Sequence, residues 1–290
     1  MILIFGATGN IGYELVRLLA EQQVPVRAFS RNPQTQLASP YIQPYAGEIT
    51  NSADVEAALA GVTRLFLLVP PPLPHYPEPV HTIVTAAKKA GVKHLVYLDG
   101  IGANLGSPVL TFKQGAQTES LIEATGLPYT FLRASSFMQN LGQSLAGTIA
   151  AQNAIYTSAG DGEISMIDTR DIAAVAAHVL TESGHEGYTY ELTGGEAISF
   201  GQVAEKLSAL LGRSINHVSL PEPQLYQALR SAGLPDDRIK GLVAMFHTWR
   251  YGEAERISGN VEILTGTPAR TLDAYLSENV AAFQPAQAPA

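Results

Sequence analysis

The chain has 290 residues, 46% hydrophobic and 15% charged, which supplies a core for one large α/β domain or a domain with a small lobe and excludes a disordered chain. A formal net charge of −8 with no Lys/Arg cluster argues against direct nucleic-acid binding, because phosphate contacts demand a basic face. The absence of cysteine rules out disulfides, thiolate metal sites and a cysteine nucleophile, and no apolar run reaches the roughly 18–20 residues that span a bilayer, so no membrane association is expected.

Residues 1–5 (MILIF) are a short, wholly apolar run, as in a central parallel strand. That reading leaves no place for a signal peptide, so a soluble, cytoplasmic protein is expected. A glycine-rich turn follows at 6–12, after which Ile11, Leu15, Leu18 and Leu19 recur at helical spacing. Further strands are predicted at 24–29, 64–69, 94–98 and 129–132, with a weak third strand that Tyr45 and Ala46 end before Gly47. Helices are predicted between them at 52–59, at 80–90 closed by Gly91, and at 114–124 closed by Gly126. Strands alternating with helices across short Gly- or Pro-marked links predict an α/β fold, a doubly wound parallel sheet. Beyond Arg133 the pattern loosens. Helices are predicted at 137–150, 171–180 and 200–211, strands at 163–167, 188–192 and 215–220, and mostly helix from there to 283. The expected organisation is a sheet domain over 1–150, an interleaved remainder with a small α+β cap lobe over 151–283, and a disordered low-complexity tail at 284–290.

Gly6-Ala7-Thr8-Gly9-Asn10-Ile11-Gly12 joins the first strand to the first helix, the setting of a Rossmann-type dinucleotide cradle. Gly6 permits the tight turn, Gly9 lets the backbone approach a pyrophosphate, and Gly12 lets the helix pack on the sheet. The helix N-terminus then offers free N–H groups to the phosphates. After the second strand an NAD-specific domain carries an acid for the ribose hydroxyls; here Ser30 and Arg31 stand instead. A guanidinium matches a 2′-phosphate, so NADP(H) is expected, with NAD(H) possible. Glu48, after the third strand, either accepts from the adenine amine or is a capping or solvated carboxylate.

These residues carry a wider resemblance. GATGNIG at the start, SRNP after the second strand, GLPYTFLR at 126–133 with FMQN at 137–140, and IDTRDIA at 167–173 together resemble the NmrA-like atypical short-chain dehydrogenases/reductases. The C-terminal part is similar to the branch of quinone, dye and iminium reductases; the family also includes redox sensors that bind the dinucleotide without turning it over. The resemblance implies that Gly6, Thr8, Gly9, Asn10, Ile11 and Gly12 contact the phosphates and that Ser30 and Arg31 contact the 2′-phosphate. It also implies that Val69, Pro70 and Pro71 border the ribose and adenine, and that Asp99 and Gly100 lie near the nicotinamide ribose. Ordinary family enzymes use Tyr-x-x-x-Lys, the tyrosine as proton donor and the lysine to lower its pKa. Counting back from Glu119 puts Thr111 at the tyrosine position and Gly115 at the lysine position, and Asp99 or Gly100 replaces the usual serine. Lys113 lies one helical step away and either reaches the site or is solvated.

Ligands of such sheets bind outside the carboxyl ends of the strands. That puts His75, Tyr76, Asp99, Ile101, Phe137 and Asn140 near the nicotinamide, with Phe246, Trp249 and Tyr251 as aromatic closure from the cap. Each also has a plainer reading: Phe137 and Trp249 as core, His75 as a surface residue, Asp99 as a loop cap instead of a protonated acid. Asp168 and Asp171 suit helix capping better than a metal site, and none is expected. With Asp99, Thr111 and Lys113 as the catalytic candidates, the expected activity is NADPH-dependent hydride transfer to a small electrophilic acceptor such as a quinone, an azo or triarylmethane dye, or an imine. The alternative is a non-catalytic dinucleotide sensor acting through a protein partner. A monomer or homodimer is expected.

Overall fold

A computed structural model describes residues 1–33, 38–69 and 76–285. In chain order its first elements are β1 (Ile2–Phe5), α1 (Asn10–Glu21), β2 (Val26–Ser30), β3 (Ile42–Ala46), α2 (Ser52–Ala58), β4 (Arg64–Leu68), α3 (Glu78–Lys89), β5 (His94–Gly100), α4 (Leu110–Thr125) and β6 (Tyr129–Ala134). A π-helical turn at Leu141–Leu145 leads into α5 (Ala146–Gln152), β7 (Ala154–Thr157), β8 (Glu163–Ile164), α6 (Thr169–Thr181), β9 (Tyr188–Leu192), β10 (Ile198–Ser199) and α7 (Phe200–Leu211). The chain finishes with β11 (Asn216–Ser219), α8 (Glu222–Ser231), α9 (Asp236–Arg250), α10 (Asn260–Thr265), α11 (Leu272–Glu278) and a 3-10 turn at Val280–Phe283. No helix of the described residues is long and apolar enough to cross a membrane.

The chain divides into two compact units. One comprises Met1–Ala134, Thr169–Leu192 and Asn260–Thr267; the other comprises Ser135–Asp168, Thr193–Gly259 and Pro268–Ala290. The first unit holds a seven-stranded sheet, β3-β2-β1-β4-β5-β6-β9, with every neighbouring pair parallel. Strand side chains alternate between faces. Leu3, Phe5, Leu65, Leu67, Leu95, Tyr97 and Phe131 point to the face covered by α2, α3 and α4, where they pack with Val55, Leu59, Ile83, Val84 and Ile122. Ile4, Phe66, Val96 and Leu98 take the opposite face, where α1 and α6 pack on each other and on the sheet. The same alternation carries Asp99, two residues beyond Tyr97, and Arg133, two beyond Phe131, to the α4 side. The second unit packs Phe200, Val203 and Leu207 of α7 with Ile155, Ile164, Met166, Phe246 and Trp249, around a parallel pair β7–β11 and an antiparallel pair β8–β10.

Several elements differ from the sequence reading. The first segment of the first unit ends at Ala134. The helix expected from 137 begins two residues later, at Gln139, because Phe137 bridges to Ile167 and the Met138 N–H donates to the Ile167 carbonyl at 2.9 Å; from there it runs through the π turn and α5. The expected strand at 163–167 shortens to β8, because the Ser165 N–H turns to Ala254 O and the Ile167 N–H to Ser136 O. β7 and β10 carried no clear periodicity and were not anticipated. The tail expected at 284–290 lies outside the described residues from 286 onward.

At the amino end of β5 lies a buried histidine with a defined tautomer. The Thr130 hydroxyl donates to His185 O at 2.6 Å, so the 2.8 Å contact between His94 Nε2 and Thr130 Oγ1 has the imidazole as donor. Nδ1 is then a bare acceptor, and it has no partner. Burial is the chief cause that pushes His94 down to about 4, with Glu186 opposing and Arg64 and His185 reinforcing it. A group depressed from an ordinary value near 6.5 contributes stability above that value and loses it as pH falls toward 4. Wild type should therefore lose about 2 kcal/mol more than a His94→Gln variant between pH 7.5 and pH 5, read from denaturant midpoints. Parallel pH dependences would contradict this.

Candidate active site

Gly6 opens the turn after β1 with φ +74°, a conformation that favours glycine, and the Gly9 N–H closes it onto the Gly6 carbonyl at 3.0 Å. A Cβ on Gly12 would stand 2.1 Å from Gly6 O and 2.9 Å from Ala7 Cα, so α1 meets the turn backbone to backbone. Gly9 caps α1 with extended backbone and no side chain accepts the first N–H groups of the helix. Thr8, Gly9 and Asn10 are exposed at this end, whereas Ile11 is 3% exposed and serves the core, which leaves only its backbone for a ligand. Free N–H groups at a helix N-terminus beside an exposed glycine turn fit a pyrophosphate.

At the end of β2, Ser30 is buried and its Oγ has no partner, while Arg31 is exposed with no partner among the described residues. Ser30 lines a shallow hollow with Ala7, Thr8, Tyr13, Ala28, Pro33, Ile42 and Pro44. An orphaned hydroxyl needs an acceptor or donor from a ligand or from water, and a largely apolar hollow carrying that hydroxyl, with the Arg31 cation next to it in the chain, fits the phosphorylated adenosine end of NADP(H). Glu48 is exposed; its backbone N–H donates to Asp54 Oδ2 at 2.9 Å, and its carboxylate is solvated rather than capping. Val69 is half-buried, and Pro70, Pro71 and His75 lie outside the described residues.

The carboxyl end of β5 holds an arrangement that the sequence reading missed. A Cβ on Gly115 would stand 2.1 Å from Asp99 Oδ1 and 2.3 Å from Oδ2, so the Asp99 carboxyl occupies the space where a side chain at 115 would begin. Asp99 Oδ1 accepts the Gly100 N–H at 2.7 Å. Oδ2 is sealed from solvent with no N–H or O–H donor, yet Asp99 pairs in register with Arg133, whose guanidinium grips Glu119, and lies over Gly115 one helical turn before Glu119, which brings the two carboxyl groups together. Two carboxyl groups bond only when one carries a proton, and that proton reconciles the two observations. Burial above all pushes Asp99 up to about 7; the Gly100 N–H opposes this, Glu119 adds to it and Arg133 counters it. Glu119 is itself clamped by Arg133, Nε to Oε1 at 2.8 Å and Nη2 to Oε2 at 2.5 Å. The signal available in the sequence was the glycine in mid-helix, where a side chain would otherwise be favoured.

Other candidates are placed as follows. Thr111 and Lys113 are both exposed in the first turn of α4; Thr111 stands one turn before Gly115 on the stripe that continues to Glu119, and Lys113 stands off that stripe. Lys113 is thus the solvated residue of its two readings. The Tyr76 hydroxyl is occupied by α4, donating to Gln114 O and lying 3.1 Å from Thr118 Oγ1. Gly100 and Ile101 are half-buried, and the Ile101 N–H donates to Ala134 O at 2.9 Å. In the second unit Phe137 is half-buried and Asn140 exposed. Phe246 and Trp249 are 4% and 7% exposed, with ring centroids 5.3 Å apart and both against Phe200. Their expected role in closing a pocket is corrected: they are core, because helical spacing on α9 turns both toward α7. Tyr251 is 68% exposed beside His247. Asp168 accepts from Gln139 Nε2 at 3.0 Å, and the described residues hold no cluster of three or more His, Asp or Glu arranged for a metal ion.

The model of the NmrA-like family matches residues 1–277, and the chain belongs to that family. It is 36% identical to the NAD(P)H azoreductase of Xenophilus azovorans over 98% of this chain and 99% of that protein. Among solved structures it is similar to the NADPH-dependent quinone oxidoreductase of Escherichia coli in complex with NADPH, at 31% identity and a TM-score of 0.88, covering 96% of this chain and 99% of the other. It is also similar to the triphenylmethane reductase of Citrobacter sp., at 28% identity and a TM-score of 0.82, covering 97% and 99%.

Proposed function

We propose that this member of the NmrA-like family is an NADPH-dependent reductase of small, flat or cationic electrophiles: quinones, azo compounds, triarylmethane dyes and iminium ions. The observation that carries the reading is Gly115 under the Asp99 carboxyl. A lysine has no room there, Thr111 is exposed, and the Tyr–Lys device for reducing ordinary carbonyls has no counterpart at those positions. An acceptor electrophilic enough to take hydride without that device suits such a site. The reading is supported by the relatives, whose names are those of an azoreductase, a quinone oxidoreductase and a triphenylmethane reductase.

When bound, the reduced dinucleotide supplies the hydride. The chain's own residues do the rest. The turn Gly6–Gly12 and the first N–H groups of α1 hold the pyrophosphate, and Thr8 and Asn10 border it. Ser30 and Arg31 hold the 2′-phosphate. Val69, Gly100 and Ile101, at the carboxyl ends of β4 and β5, border the nicotinamide side. We place the protein in the cytoplasm, as a monomer or homodimer, acting on small molecules without nucleic acid or membrane.

Two measurements test the reading. Loss of NADPH absorbance is followed against a panel of quinones, dyes, imines and ketones. Turnover of the first three classes with ketones poor is expected, and efficient ketone reduction, or tight NADPH binding with no turnover, contradicts it, the latter favouring a sensor. Arg31→Ala should lower the NADPH-to-NADH ratio of kcat/KM by about 10- to 100-fold, the worth of charge-assisted bonds to a phosphate. An unchanged ratio removes Arg31 from the 2′-phosphate site.

A further inference from the structure

We propose that Asp99 and Glu119 hold one proton between them, braced by Arg133, and that Asp99 delivers this proton to acceptors that need one after taking up hydride. The proposal rests on the reductase reading above and adds a proton donor to it.

The geometry is specific. Asp99 has one oxygen on the Gly100 N–H and the other buried without a donor, facing a second carboxyl. Arg133 grips both oxygens of Glu119, so the shared proton resides on Asp99. The groups facing Asp99 are Tyr97 on β5, Tyr76 before α3, Glu119 on α4 and Arg133 on β6, with Glu191 of β9 acting on Arg133. Burial raises both phenols above their ordinary value, so they stay neutral near pH 7. An acid that titrates near neutral pH is well matched to giving up a proton and regaining it.

Acceptors divide by chemistry. A quinone or an azo bond that takes up hydride, with its electron pair, becomes an anion on oxygen or nitrogen, while the dinucleotide is oxidised. A new O–H or N–H bond must form on that anion as the Asp99 O–H bond breaks. Its electron pair stays on Asp99 as a carboxylate beside Arg133; Asp99 as a residue is only half-buried, and a proton from solvent restores the acid before the next turnover. A triarylmethane cation or an iminium ion is neutralised by hydride alone and needs no proton.

Asp99→Asn keeps the shape and can still donate to Glu119, but has no acid proton. It should lower the ratio of quinone or azo turnover to triarylmethane-cation turnover by roughly 10²-fold. A ratio that does not change, whether both rates fall or neither does, overturns the proposal. Glu119→Gln removes the neighbouring charge and should move the pH limb of quinone reduction to lower pH; an unmoved limb counts against the shared proton. A third readout needs no cofactor. An acid whose folded value is raised loses stability as pH climbs through that value, so wild type should lose Tm relative to Asp99→Asn between pH 5 and pH 8. Parallel curves overturn the proton pair. A wild type that reduces no acceptor, the dye cation included, speaks against the reductase reading, whereas normal turnover with an unchanged ratio speaks only against Asp99 as donor.

Discussion

Gly12→Ala is expected to lower stability by about 2–4 kcal/mol and to abolish measurable NADPH binding. The added methyl would lie 2.1 Å from Gly6 O, 2.8 Å from Gly6 C and 2.9 Å from Ala7 Cα. All three atoms are backbone, so no side chain can rotate away, and relief requires α1 to move off the turn. That movement dismantles the cradle, because the N–H groups of the helix N-terminus and the turn act on one ligand only at their present spacing. Gly9→Ala is the control. Its methyl would meet Gly6 O at 3.4 Å, which the turn accommodates, but it would project from the exposed side where a pyrophosphate approaches. Gly9→Ala should thus melt near wild type and bind NADPH weakly, while Gly12→Ala fails in both thermal melting and binding. Equal melting temperatures for Gly12→Ala and wild type would remove the packing argument.

The second large effect is expected at Gly115. Alanine there would place a methyl 2.1–2.3 Å from both Asp99 oxygens. Asp99 is too short to swing clear without giving up the Gly100 N–H and its contact with Glu119. Gly115→Ala should therefore destabilise by about 2 kcal/mol even though alanine is the better helix former. Asp99→Ser shortens the strand residue and makes room, so the double variant should recover part of the loss, with a coupling of about 1–2 kcal/mol in a double-mutant cycle. Additive single effects would mean that the two positions do not share one space.

These two glycines show what a sequence discloses and what it withholds. Gly12 was legible because its neighbours announce its role: an apolar strand before it, an amphipathic helix after it and two further glycines at fixed spacing. The parallel sheet was legible for the same reason, since strand and helix periodicities alternate cleanly up to Arg133. Gly115 was legible only as a vacancy. Its partner Asp99 is 16 positions away on another element, and no local pattern reports that a carboxyl on β5 fills the space above α4. The Glu119–Arg133 clamp was hidden likewise, between a helix and the next strand. Beyond Ala134 the chain crosses between two units, and short stretches such as β8 and β10, two residues each, are too brief to print a period. Phe246 and Trp249 looked like a substrate wall because aromatic residues suit both a flat ligand and a core; burial against Phe200 decides for the core.

The central claim, that the chain passes hydride from NADPH to an electrophile, is tested most directly with NADPH deuterated at C4 of the nicotinamide, used in its two stereochemical forms, and a triarylmethane cation as acceptor. Hydride ends on carbon in that product, where deuterium does not wash out in water. The account predicts deuterium on the central carbon of the reduced dye from one stereochemical form and not the other. Reduced dye that carries no deuterium from either form, or bound NADPH that is never consumed, would contradict it.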